Sequence, residues 1–167
     1  DVIYNKGNSI SIILDNRITG MTGHQENPGS GFTLQGEDTT SINIEQVVKA
    51  LGAKNVRVKN PNKLAEDNAA LDWAIGLDDA SVIITRWPCA LKRSSQADID
   101  EFGRVFTEKC VVDEEKCVGC KKCTKTGCPA ISVDKEAKKA SIDRNQCLGC
   151  EVCLQVCPKN AIVKEEK

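Results

Sequence analysis

The sequence predicts two unlike parts: an α/β part with a parallel sheet and helices, followed by a small α+β module rich in cysteine. Residues 1–91 alternate apolar, β-branched stretches with amphipathic helical stretches, which is typical of a parallel sheet covered by helices. Residues 92–109 begin with polar residues that show no period, and we interpret them as a linker. Residues 110–167 carry one cysteine pattern twice, which predicts a module with pseudo-twofold symmetry.

Three strands are predicted in the first part. Residues 9–14 (Ser-Ile-Ser-Ile-Ile-Leu) and residues 81–85 (Ser-Val-Ile-Ile-Thr) are rich in β-branched residues, so we expect strands that are buried on both faces. Residues 56–58 (Val-Arg-Val) form a short strand of alternating character. Strands separated by helices in this order predict a parallel sheet.

Two helices are predicted between these strands. Asn43 is expected to cap a helix that stops at Gly52, and a helix that starts near residue 61 is expected to stop at Gly76. Each helix should bury one apolar face. The expected faces are Ile44, Val47, Val48 and Leu51 in the first helix, and Leu64, Leu71 and Ile75 in the second.

A long polar, glycine-rich loop at residues 15–29 follows the first strand. Loops that leave the carboxyl ends of parallel strands are where open α/β sheets bind ligands, so this loop is a candidate site. An ordinary surface connection is the alternative. His24, the single histidine of the chain, lies in this loop and is a candidate catalytic proton carrier. A role in orienting the loop or contacting substrate is the alternative for this residue.

The second part contains the pattern C-x-x-C-x-x-C…C-P twice, beginning at Cys117 and at Cys147. Three thiolates at this spacing on a tight loop can point into one concavity, where peptide N–H groups offset the negative charge. The repeated pattern predicts two 4Fe–4S clusters in a bacterial-type ferredoxin domain. Zinc and disulfides are the alternatives, but zinc commonly takes two C-x-x-C pairs, which leaves the third cysteine and the Cys-Pro of each run unexplained.

In the bacterial two-cluster arrangement, the fourth cysteine of each run binds the other cluster. We therefore predict two crossed quartets of ligands. The first quartet is Cys117, Cys120, Cys123 and Cys157, and the second is Cys128, Cys147, Cys150 and Cys153.

Two short antiparallel pairs are expected around these clusters. Residues 131–133 and 140–142 flank a charged turn and should form a hairpin, while residues 111–113 and 161–163 should form an outer pair. Two cysteines remain outside the quartets. We interpret Cys110 as a core residue, and Cys89 as a half-buried structural thiol, with a position facing the site as its alternative.

Composition limits the classes of function. The chain has 167 residues and a formal net charge of −1, which argues against nucleic acid as the principal partner, since phosphate binding favours a basic surface. No apolar run approaches the roughly 20 residues that span a bilayer. The cysteines favour a metal protein in a reducing compartment, and we expect cytoplasmic localisation and no membrane partner.

The loop sequence Asp15-Asn-Arg-Ile-Thr-Gly-Met-Thr-Gly-His-Gln25, with Pro28-Gly29 after it, resembles the thiamine-diphosphate-binding region of the 2-oxoacid:ferredoxin oxidoreductases. The resemblance continues through Pro88-Cys89 into the cysteine runs, including the wider gap between Cys123 and Cys128. It implies that residues 1–91 are the carboxyl-terminal half of a thiamine-diphosphate-binding domain.

The resemblance also implies how the cofactor is held. The side-chain carbonyl of Asn16 and the backbone carbonyl of Ile18 would bind Mg²⁺ on the diphosphate, and the backbone of Thr22 and Gly23 would lie against the cofactor. The family supplies a third Mg²⁺ ligand from a Gly-Asp-Gly motif that precedes the strand. This chain contains no Gly-Asp-Gly, so we expect it to be a piece of a longer polypeptide.

The implied reaction is the oxidative decarboxylation of an aryl 2-oxoacid, indolepyruvate, with coenzyme A to an arylacetyl-CoA. Electrons would pass through the two clusters to an external ferredoxin, and a smaller subunit would complete the enzyme. Pyruvate or 2-oxoglutarate is the alternative substrate. A purely electron-transferring ferredoxin module is the alternative function.

Overall fold

The computed structural model describes residues 1–103 and 108–165. The chain divides into two compact units, one ending at Phe102 and the other beginning at Gly103. Residues 104–107, which belong to the predicted linker at 92–109, lie outside the described residues. The exact domain boundaries therefore stay a prediction.

The first unit contains a three-stranded parallel sheet, as predicted. Both outer strands pair with the central one in parallel, in the order β1-β3-β2, which is the topology of an α/β layer. The elements in chain order are β1 (Ile10–Asp15), α1 (Ile44–Ala50), β2 (Asn55–Lys59), α2 (Leu64–Ile75), β3 (Ser81–Arg86) and α3 (Gln96–Phe102).

The predicted cap and stop of α1 are confirmed. The side chain of Asn43 accepts a hydrogen bond of 3.1 Å from the backbone N–H of Gln46. Gly52 follows the helix with φ +95°, in the left-handed region that glycine tolerates. The buried face is narrower than predicted, because Val48 is buried whereas Val47 and Leu51 are exposed.

The predicted apolar face of α2 is wrong. Leu71 and Ile75 are exposed, and the buried residues are Ala70 and Ala74, which pack against Ile83 of β3. Small side chains let the helix lie close to the sheet, so the alanines meet the strand and the larger residues are turned outward. The predicted stop at Gly76 is confirmed.

The expectation that β1 is buried on both faces is also wrong. β1 is at the edge of the sheet, and Ile10, Ile12 and Leu14 are exposed on one face, with Leu14 78% exposed. The other face includes Ile13, which packs on the core of Val48, Val82 and Ile84. The central strand β3 is buried at its first four residues, as predicted.

The helix α3 (Gln96–Phe102) was not predicted, because its segment was interpreted as linker. Ser95 and Asp98 bond reciprocally at its start: the Ser95 N–H donates to the Asp98 carboxylate at 2.9 Å, and the Asp98 N–H donates to the Ser95 hydroxyl at 3.2 Å. This exchange satisfies two N–H groups at the helix start and is related to the capping box. At the other end, the Phe102 ring packs edge-on against Trp87, with centroids 5.4 Å apart.

The second unit contains two short antiparallel pairs, and both predicted pairs are confirmed. One is the hairpin of β5 and β6, and the other joins β4 to β7. The elements are β4 (Cys110–Val112), a 3₁₀ helix (Lys122–Thr126), β5 (Ile131–Val133), β6 (Ala140–Ile142), α4 (Val152–Val156) and β7 (Ile162–Lys164). Within the ranges 1–103 and 108–165, every helix is too short or too polar to cross a bilayer.

Candidate functional site

The structure brings the first predicted quartet of cysteines around one cavity in the second unit. Backbone N–H groups face two of these sulfurs: Ala161 donates to Cys157 at 3.3 Å and Ala140 donates to Cys117 at 3.5 Å. Cys157 follows α4 and reaches the cavity formed by the loop of the other run. The cysteines that border this cavity are Cys117, Cys120, Cys123 and Cys157.

The second predicted quartet borders a second cavity in the same unit. The backbone N–H of Cys110 donates to the sulfur of Cys147 at 3.4 Å, as that of Ala140 does to Cys117 in the other half. The cysteines that border this cavity are Cys128, Cys147, Cys150 and Cys153, together with Cys110. Each cavity thus receives three cysteines from one run and the Cys-Pro cysteine from the other.

Each cysteine loop depends on a glycine. Gly119 and Gly149 have φ +67° and +80°, and a Cβ at either position would lie 2.1 Å from a backbone carbonyl oxygen, that of Lys138 or Glu108. Because glycine lacks a Cβ, each loop can lie directly against the segment that precedes β6 or β4. This contact sets the position of the first two cysteines of each run.

The local environment changes the pKa of several cysteine thiols. Backbone N–H groups of Ala140 and Gly119 hold the pKa of Cys117 below its usual value, because they stabilise the thiolate. Burial raises the pKa of Cys123 and of Cys153. Burial, with the neighbouring Cys153 and Cys147, raises the pKa of Cys110 to about 12. Iron binding supplies the positive charge that buried thiolates otherwise lack.

The donor set of each cavity fits a 4Fe–4S cluster. A predicted quartet of cysteines borders each space, apolar residues such as Val133 and Ile142 line it, and peptide N–H groups point at cysteine sulfur. In the part of the chain that the structure describes, no group of three His, Cys, Asp or Glu side chains is placed to hold a single metal ion.

In the first unit, the loop after β1 lies at the carboxyl edge of the sheet. The N–H of Trp87 donates to the carbonyl of Asp15 at 3.1 Å, and that of Cys89 donates to the carbonyl of Asn16 at 3.0 Å, so the segments that leave β1 and β3 run side by side. The Asn16 side-chain oxygen accepts from the N–H of Ile18 at 3.2 Å. This turn joins Asn16 and Ile18, the two residues that are predicted to bind Mg²⁺. Cys89 is half-buried here.

The rest of the loop folds back on itself. Thr19 and Gln25 exchange two backbone hydrogen bonds, of 3.0 and 3.2 Å, and the Thr22 hydroxyl contacts the Gln25 side chain at 2.7 Å. Gly23 and His24 at the turn have φ +117° and +62° and are exposed. Gly23 therefore needs the conformational freedom of glycine.

His24 and Ile18 border a common cleft, together with Lys92 and Ser95 from the segment before α3. The structure therefore brings two of the predicted loop residues to one cleft, while Asn16 and Thr22 lie elsewhere in the same loop. The role of His24 stays a prediction.

Sequence reasoning missed a charged cluster at this edge. Asp15, at the end of β1, is buried, and its carboxylate accepts from the guanidinium of Arg86 at 2.7 Å and lies 3.7 Å from that of Arg17. Glu101 of α3 pairs with Arg17 at 2.5 Å. The available signal was a charged residue at the end of an apolar strand, since a buried carboxylate needs partners.

Sequence reasoning placed Cys110 in the core, and it is buried, at 2% exposed. It also borders the second cavity, which was not predicted. The signal was available in the internal repeat, since Lys109-Cys110 precedes Cys117 at the same spacing as Lys139-Ala140 precedes Cys147.

Comparisons with known proteins match both units. Residues 1–85 match the model of the thiamine pyrophosphate enzyme C-terminal TPP binding domain, TPP being thiamine diphosphate. Residues 116–161 match the 4Fe-4S dicluster domain.

Relatives of known name are similar over nearly the whole of this chain. It is 42% identical over 165 residues to indolepyruvate oxidoreductase subunit IorA of Pyrococcus abyssi, a match that covers 98% of this chain and 25% of that protein. The protein of the same name from Archaeoglobus fulgidus is 39% identical over 163 residues, covering 97% of this chain and 25% of that protein. The chain thus spans about a quarter of the length of the curated relatives it matches.

Among solved structures, ferredoxin I from Desulfovibrio africanus is similar to part of the chain. It has 26% sequence identity and a TM-score of 0.33, and it covers 36% of this chain and 100% of its own.

Proposed function

We infer the function of this chain from its family: it belongs to the thiamine pyrophosphate enzymes, whose C-terminal TPP-binding domain matches residues 1–85, and it joins that domain to a 4Fe–4S dicluster domain. A domain that binds an organic cofactor acting as an electron sink, joined to one-electron carriers, suits a 2-oxoacid:ferredoxin oxidoreductase. We propose that this chain is part of the large subunit of such an enzyme, working with a smaller subunit and an external ferredoxin.

The substrate that we propose is an aryl 2-oxoacid, with indolepyruvate as the example. The support is the name of the relatives, indolepyruvate oxidoreductase, at 39 and 42% identity over nearly all of this chain. Coenzyme A would take the acyl group, and the product would be an arylacetyl-CoA.

The residues of the first unit would bind and orient the cofactor. Asn16 and Ile18 would offer carbonyl oxygens to Mg²⁺, a cation that binds oxygen ligands. The backbone of Thr22 and Gly23 would lie against thiamine diphosphate, which supplies the electron sink for decarboxylation. His24 would contact substrate or hold a proton at the exposed end of the loop.

The residues of the second unit would carry the electrons. Each quartet of cysteines would hold one 4Fe–4S cluster, and the apolar walls of the cavities would keep water away from it. A two-electron oxidation that feeds a one-electron acceptor needs carriers that take electrons singly, and two clusters in one module provide two such stations.

The observation that carries this proposal is that two cavities are bordered by two complete and crossed cysteine quartets. The test is the metal content of the chain after anaerobic reconstitution. We expect about eight iron and about eight acid-labile sulfide per chain. Stoichiometric zinc with little sulfide would contradict the proposal.

A further inference from the structure

The two halves of the second unit contain an equivalent pair of residues, Lys109-Cys110 and Lys139-Ala140. The ammonium group of Lys109 donates to the carbonyl of Cys147 at 2.5 Å, and that of Lys139 donates to the carbonyl of Cys117. The residue after each lysine donates its backbone N–H to the sulfur of the same cysteine, at 3.4 and 3.5 Å.

Cys110 and Ala140 therefore occupy the same place relative to the two cavities. Their side chains differ in one respect that matters for an iron–sulfur cluster. Ala140, whose side chain is a methyl group, borders the first cavity, whereas Cys110, whose side chain carries a thiol, borders the second. That thiol belongs to a residue that is almost fully buried, at 2% exposed, and Cys110 borders the second cavity together with Cys147 and Cys153.

The comparison of the halves also indicates that Cys110 is not an iron ligand. The first cavity has four cysteines with alanine in the equivalent place, and the second has four cysteines in addition to Cys110. Ligands bind iron as thiolates and have no proton to donate. A fifth cysteine beside them keeps its S–H group, which can donate a hydrogen bond to ligand sulfur.

We propose that Cys110 is a non-ligating thiol that donates a hydrogen bond to ligand sulfur of the second cluster and raises the reduction potential of that cluster. The physical reason is that reduction adds one electron to an already anionic centre. A donor aimed at its sulfurs stabilises the reduced form more than the oxidised form. This inference rests on the proposed function, since it needs the second quartet to hold a cluster.

Another pair of equivalent positions differs in charge, which can also make the midpoint potentials of the two clusters differ. The test must therefore compare the midpoint of the same cluster in the wild type and in a variant. Lys121 borders the first cavity and Glu151 the second, each following the second cysteine of its run. Glu151 is paired with Lys164 at 2.6 Å. These charges stay constant when residue 110 or residue 140 is changed.

The experiment is a redox titration followed by EPR on the reconstituted holoprotein, with iron and sulfide measured on the same samples. Cys110→Ala places alanine where the other half already has it, so the fold should tolerate it. We expect unchanged iron and sulfide, a lower midpoint potential for one cluster and an unchanged midpoint for the other. Ala140→Cys, the converse variant, should raise the midpoint that Cys110→Ala leaves in place.

Cys110→Ser is the conservative control, because it keeps a donor at the same position. Its midpoint should lie above that of Cys110→Ala, because the serine hydroxyl can still donate a hydrogen bond. This inference would be overturned if Cys110→Ala left both midpoint potentials unmoved or shifted both equally. It would also be overturned if iron in Cys110→Ala fell to about four per chain, because Cys110 would then be a ligand. Loss of clusters from the wild type would overturn the proposed function as well, whereas normal clusters with unmoved midpoints would overturn this inference alone.

Discussion

Replacing Gly149 by alanine should remove the second cluster and leave the first. A Cβ at this position would lie 2.1 Å from the carbonyl oxygen of Glu108, and real Cβ atoms essentially never come within 3.0 Å. The loop or its neighbour must therefore move by about 0.9 Å. That exceeds the roughly 0.5 Å within which a metal-binding or catalytic geometry must be held. We expect iron to fall to about four per chain.

Gly127→Ala is the matched control. Gly127 also lies in a cysteine run with positive φ, +69°, but a Cβ there would meet nothing within 4 Å. It should cost about 1–2 kcal/mol of unfolding free energy from the left-handed backbone alone and keep about eight iron. The assays are iron analysis and thermal unfolding of the holoproteins. Equal iron and equal melting temperatures in the two variants would refute the steric argument.

Three further variants test other parts of the structure. Asp98→Asn should lower the unfolding free energy by about 3 kcal/mol at neutral pH, because it leaves buried Lys92 unpaired. Burial alone would raise the pKa of Asp98, but hydrogen bonds from Lys92 and Ser95 hold that pKa below its usual value. The stabilisation that the ionised Asp98 gives the folded state is therefore complete above about pH 4 and is lost as the pH falls through the folded pKa. Denaturant unfolding from pH 7 to 3 measures this, and an unchanged pH dependence in Asp98→Asn would contradict it. Ala70→Leu should cost about 1–3 kcal/mol of unfolding free energy by overpacking, whereas Leu71→Ala should cost far less because Leu71 is exposed. If Leu71→Ala cost more than Ala70→Leu, a different face of α2 would pack on the sheet. In a longer polypeptide that also contains the Gly-Asp-Gly motif, Asn16→Ala should weaken the binding of Mg²⁺ and thiamine diphosphate, measured by calorimetry, and leave the iron content unchanged. Unweakened binding would exclude Asn16 as a Mg²⁺ ligand.

Local patterns predicted the features that depend on neighbours in sequence. The cap at Asn43 and the hairpin of β5 and β6 follow from residues a few positions apart, and both are present. The order of strands and helices also predicted the parallel sheet. These features need no knowledge of what packs on the outside of each element.

Burial was predicted less well, because it depends on which elements cover a face. The leucine and isoleucines of β1 look like core in sequence, yet β1 is an edge strand and three of them are exposed. In α2 the alanines are buried, because close packing on β3 selects small residues, and a search for large apolar side chains overlooks them.

The candidate site shows the same division. The spacing of cysteines predicted each triplet, and the known two-cluster arrangement supplied the crossed fourth cysteine, which borders the expected cavity in each case. Cys110 was missed because it lies seven positions before Cys117 in the chain but contacts the loop of the other run. Asp15 and its arginines were missed because their pairing depends on the tertiary register of β1 and β3.

The central claim is that each cluster takes its fourth ligand from the other run, and iron content of two double variants tests it most directly. If ligation is crossed, Cys120→Ala with Cys157→Ala damages one cluster and should leave about four iron per chain. Cys150→Ala with Cys157→Ala damages both and should leave almost none. The account would be contradicted by the reverse result, in which the Cys150→Ala, Cys157→Ala variant keeps about four iron and the Cys120→Ala, Cys157→Ala variant loses almost all. That result would show that each run binds its own cluster.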